Sequence, residues 1–350
     1  MKKLLSLLFH RSVIVAVLIA VQIAILIAAM LQFSGNFVYL YWIFFGLSAA
    51  AVLIIVERQT EPGYKIAWII LILLFPIFGW LFYLVCGGNR LSARLRRKMQ
   101  GIDRKMVNVL KPDGKAEELR PFGRDAVVQS QYLERYARCP AYSNTRTEYF
   151  PLGDNAFPRM LEELRKAKRY IFLEYFIIEK GEFWDSIVEV LRERRAAGVD
   201  VRVIYDDVGC LDKLPTRYAR EFEAETGIPC CVFNRFRPIL SIRMNNRDHR
   251  KLLIVDGQAA FTGGINLADE YINVKSRFGH WKDSAILVRG EAAWSMTVMF
   301  LTMWEYVRNV EEDYERFCPE GVPPEVRGID CYVQPYTDSP LDNEPVGETV

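Results

Sequence analysis

Asp248-His249-Arg250-Lys251-Leu252-Leu253-Ile254-Val255-Asp256, continuing to Thr262-Gly263-Gly264-Ile265-Asn266, is the stretch on which the reading of this chain turns. Lys251–Val255 is an aliphatic run of strand length closed by an aspartate. Side chains two apart on an extended segment project from the same face, so His249 and Lys251 stand together. An imidazole beside an ammonium suits an anionic group such as a phosphodiester. The imidazole attacks phosphorus or shuttles a proton, and the ammonium neutralises nonbridging oxygens as charge develops. Asp256 ends the strand, where a carboxylate can hold the loop and pair with a basic neighbour. Gly263-Gly264 lets backbone N–H groups come close to oxygens, and Asn266 adds a further hydrogen-bonding group.

Working outward, the flanking sequence alternates between helical and strand periods. Phe157–Arg169 carries Met160, Leu161, Leu164 and Ala167 at helical spacing, and Tyr170–Ile178 is a β-branched and aromatic run. Phe183–Ala197 returns to the helical period and Gly198 is placed to cap it. Val199–Tyr205 and Ile228–Phe233 read as strands, with Pro215–Thr226 a helix between them. Lys251–Val255, Ala259–Thr262 and Ser284–Val288 add strands, and Glu291–Arg308 is a long helix. Strands apolar on both sides, linked by helices, predict an α/β domain over residues 149–330 whose sheet is covered on both faces. Asp206-Asp207 invites a metal reading, but such residues after a strand are common turn formers.

The first third differs sharply. Three apolar segments, Ser12–Phe33, Phe37–Val56 and Ile66–Cys86, each approach the roughly 20 residues that cross a hydrocarbon core, giving an expected membrane region over residues 1–88. Arg90, Arg94, Arg96, Arg97, Lys98, Arg104 and Lys105 follow, a cytoplasmic signature that could also attract anionic headgroups. Residues 89–148 read as a basic linker. A net charge of +2 argues against a dedicated nucleic-acid binder. Seven scattered cysteines without a C-x-x-C pair fit reduced thiols in a cytoplasmic domain.

The pattern H-x-K-x4-D-x6-G-G-x-N resembles the signature of the phospholipase D superfamily, with Gly264 where many members have Ser. More of the chain is similar to bacterial cardiolipin synthase: Leu74-Phe75-Pro76-Ile77-Phe78-Gly79-Trp80, Leu173-Glu174-Tyr175-Phe176-Ile177, Tyr205-Asp206-Asp207-Val208-Gly209, Gly263 through Tyr271, and His280-Trp281-Lys282-Asp283. The resemblance implies transmembrane helices followed by one phospholipase D-like α/β/α sandwich, half of a two-lobed enzyme. It also implies a phosphatidyl transfer through His249, with Lys251 and Asp256 in the catalytic motif, that condenses two phosphatidylglycerols to cardiolipin plus glycerol and needs no metal or organic cofactor.

Asp283 matches the family acid that orients the imidazole, and a surface aspartate is the plain alternative. His280 lines the pocket or is incidental. Glu174, central in an apolar strand, must find a partner in a structural or a pocket role. Phosphatidylglycerol and other anionic phospholipids are the implied partners, not nucleic acid. The implied location is the bacterial cell membrane, multi-pass, with the catalytic domain cytoplasmic. The family has two such motifs and these 350 residues have one. Either residues 331–350 open a missing second domain, or two copies pair as a homodimer. The competing readings are a membrane-bound phospholipase D or phosphodiesterase, and an inactive lipid-binding fragment.

Overall fold

The computed structural model describes residues 23–24, 27, 37–58, 62–75, 79–80, 82–84, 87, 101–102, 104–111, 115–236, 247–276, 279–329, 331–337 and 346–350. Chain contacts divide it into two units, residues 1–90 with 237–245, and residues 91–236 with 246–350.

In the first unit, helix α1 (Phe37–Glu57) is followed by α2 (Pro62–Leu74). Ala51 and Ile55 of α1 pack with Ile72 of α2 and with Tyr83. The outer surfaces stay apolar: Trp42, Leu53, Ile66, Leu73 and Leu74 are all exposed. No helix among the described residues is long and apolar enough to cross a membrane, so the structure does not support the expected three crossings. The first expected span lies outside the described residues except for Ile23, Ala24 and Ile27. The second coincides with α1. In the third, α2 stops at Leu74 after 13 residues, a rise of about 20 Å against a core of about 30 Å.

The second unit is built on one seven-stranded sheet. Its strands are β1 (Thr145–Phe150), β2 (Tyr170–Tyr175), β3 (Asp200–Asp206), β4 (Cys230–Phe233), β5 (Lys251–Val255), β6 (Ala259–Gly263) and β7 (Ala285–Gly290), in the order β1-β7-β6-β5-β2-β3-β4. The β2-β3-β4 part is parallel, connected by α5 (Glu182–Ala196) and α6 (Tyr218–Thr226). All the other pairings are antiparallel. The antiparallel part arises because β5 and β6 are joined by a three-residue turn, and the longer connection from β6 to β7 has no crossover helix among its described residues.

Two cores flank the sheet. Leu173, Tyr175, Val203 and Leu253 pack with α4 (Gly153–Lys166), α5 and α6 through Met160, Leu164, Ile187, Leu191 and Phe222. Phe172, Ile204, Leu252 and Ile254 pack on the other face against α7 (Ala293–Arg308), through Met296, Phe300 and Trp304. Strands β2 and β5 are buried on both sides, which is why their sequences are unbroken apolar runs and not alternating ones. Helix α3 (Arg124–Tyr136) adds Leu133 to a small separate cluster.

The ladder directions place one edge of the sheet apart from the rest. The C-terminal ends of β2, β3 and β6 and the N-terminal ends of β5 and β7 all emerge there.

Candidate active site

Lys251 opens β5 opposite Tyr175, so its side chain lies on the α4–α6 side of the sheet at that edge. His249 precedes it by two residues and is exposed. The ring of Phe176, the residue after β2, joins the two: its centroid is 4.8 Å from that of His249, and Lys251 Nζ lies 5.4 Å from it. Lys251 Nζ also donates to the His249 carbonyl at 2.6 Å. Both groups therefore stand against the Phe176 ring.

Burial governs the charge state of both groups. Lys251 is buried, and desolvation lowers its pKa to about 8, against the opposing pull of Asp248 and Asp283. His249 is lowered below its usual value, first by desolvation and then by the Lys251 cation. At neutral pH the imidazole is therefore uncharged, with a lone pair available, beside an ammonium that is still mostly protonated.

Asp283, just before β7, is close enough to favour the charged form of Lys251, and its Oδ1 accepts the Ser284 N–H at 2.9 Å. Gly264 makes this approach possible. A Cβ there would lie 1.9 Å from Asp283 Oδ1. At Gly263, with φ +149°, a Cβ would meet the Ser284 carbonyl at 2.3 Å.

The structure does not bring every expected residue to this edge. Asp256 lies at the opposite end of β5, with φ +54°. Its carboxylate accepts the backbone N–H groups of Lys168, Arg169 and Tyr170, all at 2.8 Å. It holds the turn that enters β2, and the length of a strand separates it from His249. Asn266 is committed as well: Oδ1 accepts Ile177 N–H at 3.0 Å and Nδ2 donates to the Tyr271 hydroxyl at 2.9 Å. The Gly264 N–H is taken by the Ser284 carbonyl at 3.0 Å, so it is not a free donor for a substrate oxygen. His280 is exposed on the loop before β7.

Glu174 is fully buried on β2, opposite Leu252 and beside Ile204, and so faces the α7 side. Arg250 Nη2 lies 2.6 Å from its Oε1. Asp248 accepts from Arg250 N at 3.2 Å and from Arg250 Nε at 3.3 Å. Asp206 Oδ2 accepts the Asp248 N–H at 3.0 Å, and Asp206 Oδ1 accepts the N–H groups of Val208 and Gly209. Asp206 is thus a loop anchor, and among the described residues no His, Cys, Asp and Glu cluster is suited to a metal. Phe176, Asp248 and Arg250 are the participants that residue-type reasoning missed. Alternation was the available signal, since residues 248 and 250 must point away from 249 and 251.

Comparison with known proteins bears on the family. Residues 160–295 match the family described as cardiolipin synthase, PLD-like domain, and residues 44–88 match phospholipase D-nuclease N-terminal. Residues 160–295 are thus a phospholipase D-like domain of the cardiolipin synthase type. An uncharacterized protein of Streptococcus mutans is 39% identical over 86% of this chain and 64% of its own length. A cardiolipin synthase of Geobacillus sp. is 34% identical over 71% of this chain and 50% of its own length, and one from Geobacillus kaustophilus is 32% identical over 78% and 55%. The chain therefore spans less than two thirds of the length of these curated relatives. Among solved structures, the phospholipase D family member Nuc from Salmonella typhimurium is 21% identical with a TM-score of 0.34, covering 50% of this chain and 98% of Nuc.

Proposed function

We propose that the phospholipase D-like domain is a phosphatidyltransferase that makes cardiolipin from phosphatidylglycerol. The observation carrying this reading is the exposed imidazole of His249 held with the Lys251 ammonium against one aromatic ring, at an edge where several strands end. In the first step an imidazole nitrogen attacks phosphorus, the bond from phosphorus to the glycerol oxygen breaks, and glycerol leaves after taking a proton. In the second, the hydroxyl of another phosphatidylglycerol attacks the phosphohistidine, loses its proton and releases His249. Lys251 offsets the charge on the nonbridging oxygens in both steps. Asp283 orients the charged groups from the β7 side. Proton delivery to the departing oxygen needs a second acid, and a second imidazole is its expected source. A second copy of this chain could supply one, as could sequence outside these 350 residues.

Membrane association is part of the same proposal. The exposed apolar surfaces of α1 and α2 and the basic run from Arg90 to Lys105 suit an anionic lipid surface on the cytoplasmic side. The names of the relatives support the lipid substrate class.

Reconstituting the chain into vesicles of phosphatidylglycerol tests the reading. Cardiolipin and glycerol in equal amounts are the expected products, both lost in His249→Ala. Phosphatidic acid without cardiolipin would make the protein a hydrolase instead.

A further inference from the structure

Beneath the catalytic face, the sheet buries more negative charge than one guanidinium can balance. Glu174 and Asp248 are both buried, and they lie side by side on Arg250, which reaches Glu174 Oε1 through Nη2 at 2.6 Å and Asp248 Oδ1 through Nε at 3.3 Å. The Glu174 contact is an ion pair set off the hydrogen-bonding direction. Glu174 Oε2 and Asp248 Oδ2 have no hydrogen-bond partner at all. Two carboxylates buried in contact with one cation leave one net charge uncompensated, which a low-dielectric interior resolves by taking up a proton. Orphaned acceptors are costly in the same setting, on the order of 1–3 kcal/mol each and more when charged.

We infer that Glu174 and Asp248 share one proton, forming a neutral acid pair with Arg250 that fixes the segment carrying His249 from the opposite face of the sheet. A hydroxyl on Glu174 donating to Asp248 Oδ2 removes both orphans and the charge excess in one step. Burial pushes the Glu174 carboxyl well above its usual range, the Arg250 cation opposes this, and Asp248 adds to it. The other charged groups nearby have ion-pair partners of their own, including the buried Arg202 of β3, which is held by Asp200 and Glu312. Asp206 holds the Asp248 N–H and pairs with Arg247 at 3.3 Å. Helix α7, packed over this face, has only two charged residues, Glu305, bound by Lys105 and Tyr314, and Arg308, bound by Glu223. Lys251 and His249 lie on the far side of the sheet.

The consequence for His249 follows from strand alternation. Arg250 and Asp248 flank it in sequence and point the other way, so anchoring them aims the imidazole outward. Glu174, Asp248 and Arg250 are positioning residues; none of them touches the phosphate in the proposed reaction, on whose correctness only the kinetic part of this inference rests.

The sign of the pH effect is fixed. A carboxyl whose folded pKa is raised stabilises the fold most at low pH, and that contribution is lost as pH climbs from its ordinary 4.5 through the folded value. The test is difference infrared spectroscopy with thermal melts across pH on the full chain, comparing wild type, Glu174→Gln and Asp248→Asn. The expected result is a protonated-carboxyl carbonyl band at neutral pH that both variants lose: the first has no acid to protonate, and in the second Glu174 ionises against Arg250 alone. Glu174→Gln, a neutral isostere, should also flatten the fall in melting temperature with rising pH, and should retain far more turnover than Glu174→Ala. If no such band exists in the wild type, or if it survives both substitutions, the shared proton is refuted. Neither the infrared band nor the melts depend on lipid turnover, so failure of the acid pair and failure of the transferase reading remain separable.

Discussion

At the residue scale, His249 and Lys251 set opposing requirements on pH. The nucleophile must be uncharged and its pKa is depressed, so activity should rise with pH through a point below the ordinary histidine value. The ammonium must be charged and titrates at about 8, so activity should fall above that point. A bell-shaped kcat/KM profile is the expected outcome. Lys251→Arg should carry its alkaline limb up by more than one pH unit, because guanidinium stays charged, at some cost in rate from the changed shape. An alkaline limb that stays at the same pH in that variant would remove Lys251 from the profile. Gly264→Ser makes a second prediction. Relatives of the superfamily often have serine here, yet in this chain the new Cβ would fall on the Asp283 carboxylate. Phosphatidylglycerol turnover should drop at least tenfold. An unchanged rate would mean that Asp283 moves aside freely and orients nothing.

The roles legible from sequence at this scale were those that depend on local geometry. A two-residue offset on an extended segment determines a shared face wherever the strand lies, so the His249–Lys251 pair could be read directly. Asp256 and Asn266 could not. Their partners are backbone N–H groups about ninety positions upstream, and nothing in residue type distinguishes a carboxylate that meets a substrate from one that meets a distant turn.

At the element scale, β5 is held at both ends by side chains of opposite purpose. Asp256 ties its C-terminal end to the entry of β2 through three N–H groups, and its left-handed φ suits Asp, Asn or Gly better than most residues. Asp256→Ala should therefore destabilise the domain by about 2–4 kcal/mol, the scale of losing three charge-assisted hydrogen bonds, one of them to the buried Tyr170. Urea unfolding measures this, while kcat of the protein that remains folded should stay within about threefold. A loss of kcat by a factor of 100 or more at unchanged stability would return Asp256 to the chemistry. Most elements were readable from periodicity, and β5 matches its sequence expectation residue for residue because a doubly buried strand is a bare aliphatic run. Strand β1 was not foreseen. Its Thr145-Arg146-Thr147-Glu148 sequence is polar because it sits at the sheet margin and pairs with β7 alone, so it offers no hydrophobic alternation to detect. The antiparallel sense of β5 to β7 was equally hidden, since strand direction is a property of the partner.

At the scale of the whole molecule, the exposed leucines of the first unit predict how the chain meets lipid. Leu53 and Leu73 are 70% and 57% exposed, and covering a leucine side chain is worth about 1.5–3 kcal/mol. Replacing both, Leu53→Glu with Leu73→Glu, should weaken association with phosphatidylglycerol vesicles by at least tenfold in a flotation assay. High salt should weaken the wild type less, because screening acts on the basic run and not on apolar burial. Association that salt abolishes and the double substitution leaves intact would assign the attachment to charge alone.

The alternation along residues 248–251 also bears on how this protein can vary. Faces here are assigned by odd and even position, with acid and guanidinium below and imidazole and amine above. Losing a single amino acid from this tract would exchange the two sets at once, driving the histidine into the packed layer under α7 and lifting a half-buried arginine into solvent. Substitutions can accumulate in such a tract, but changes of length by one cannot. A descendant could alter what its site does with far greater ease than it could shift the spacing that aims it.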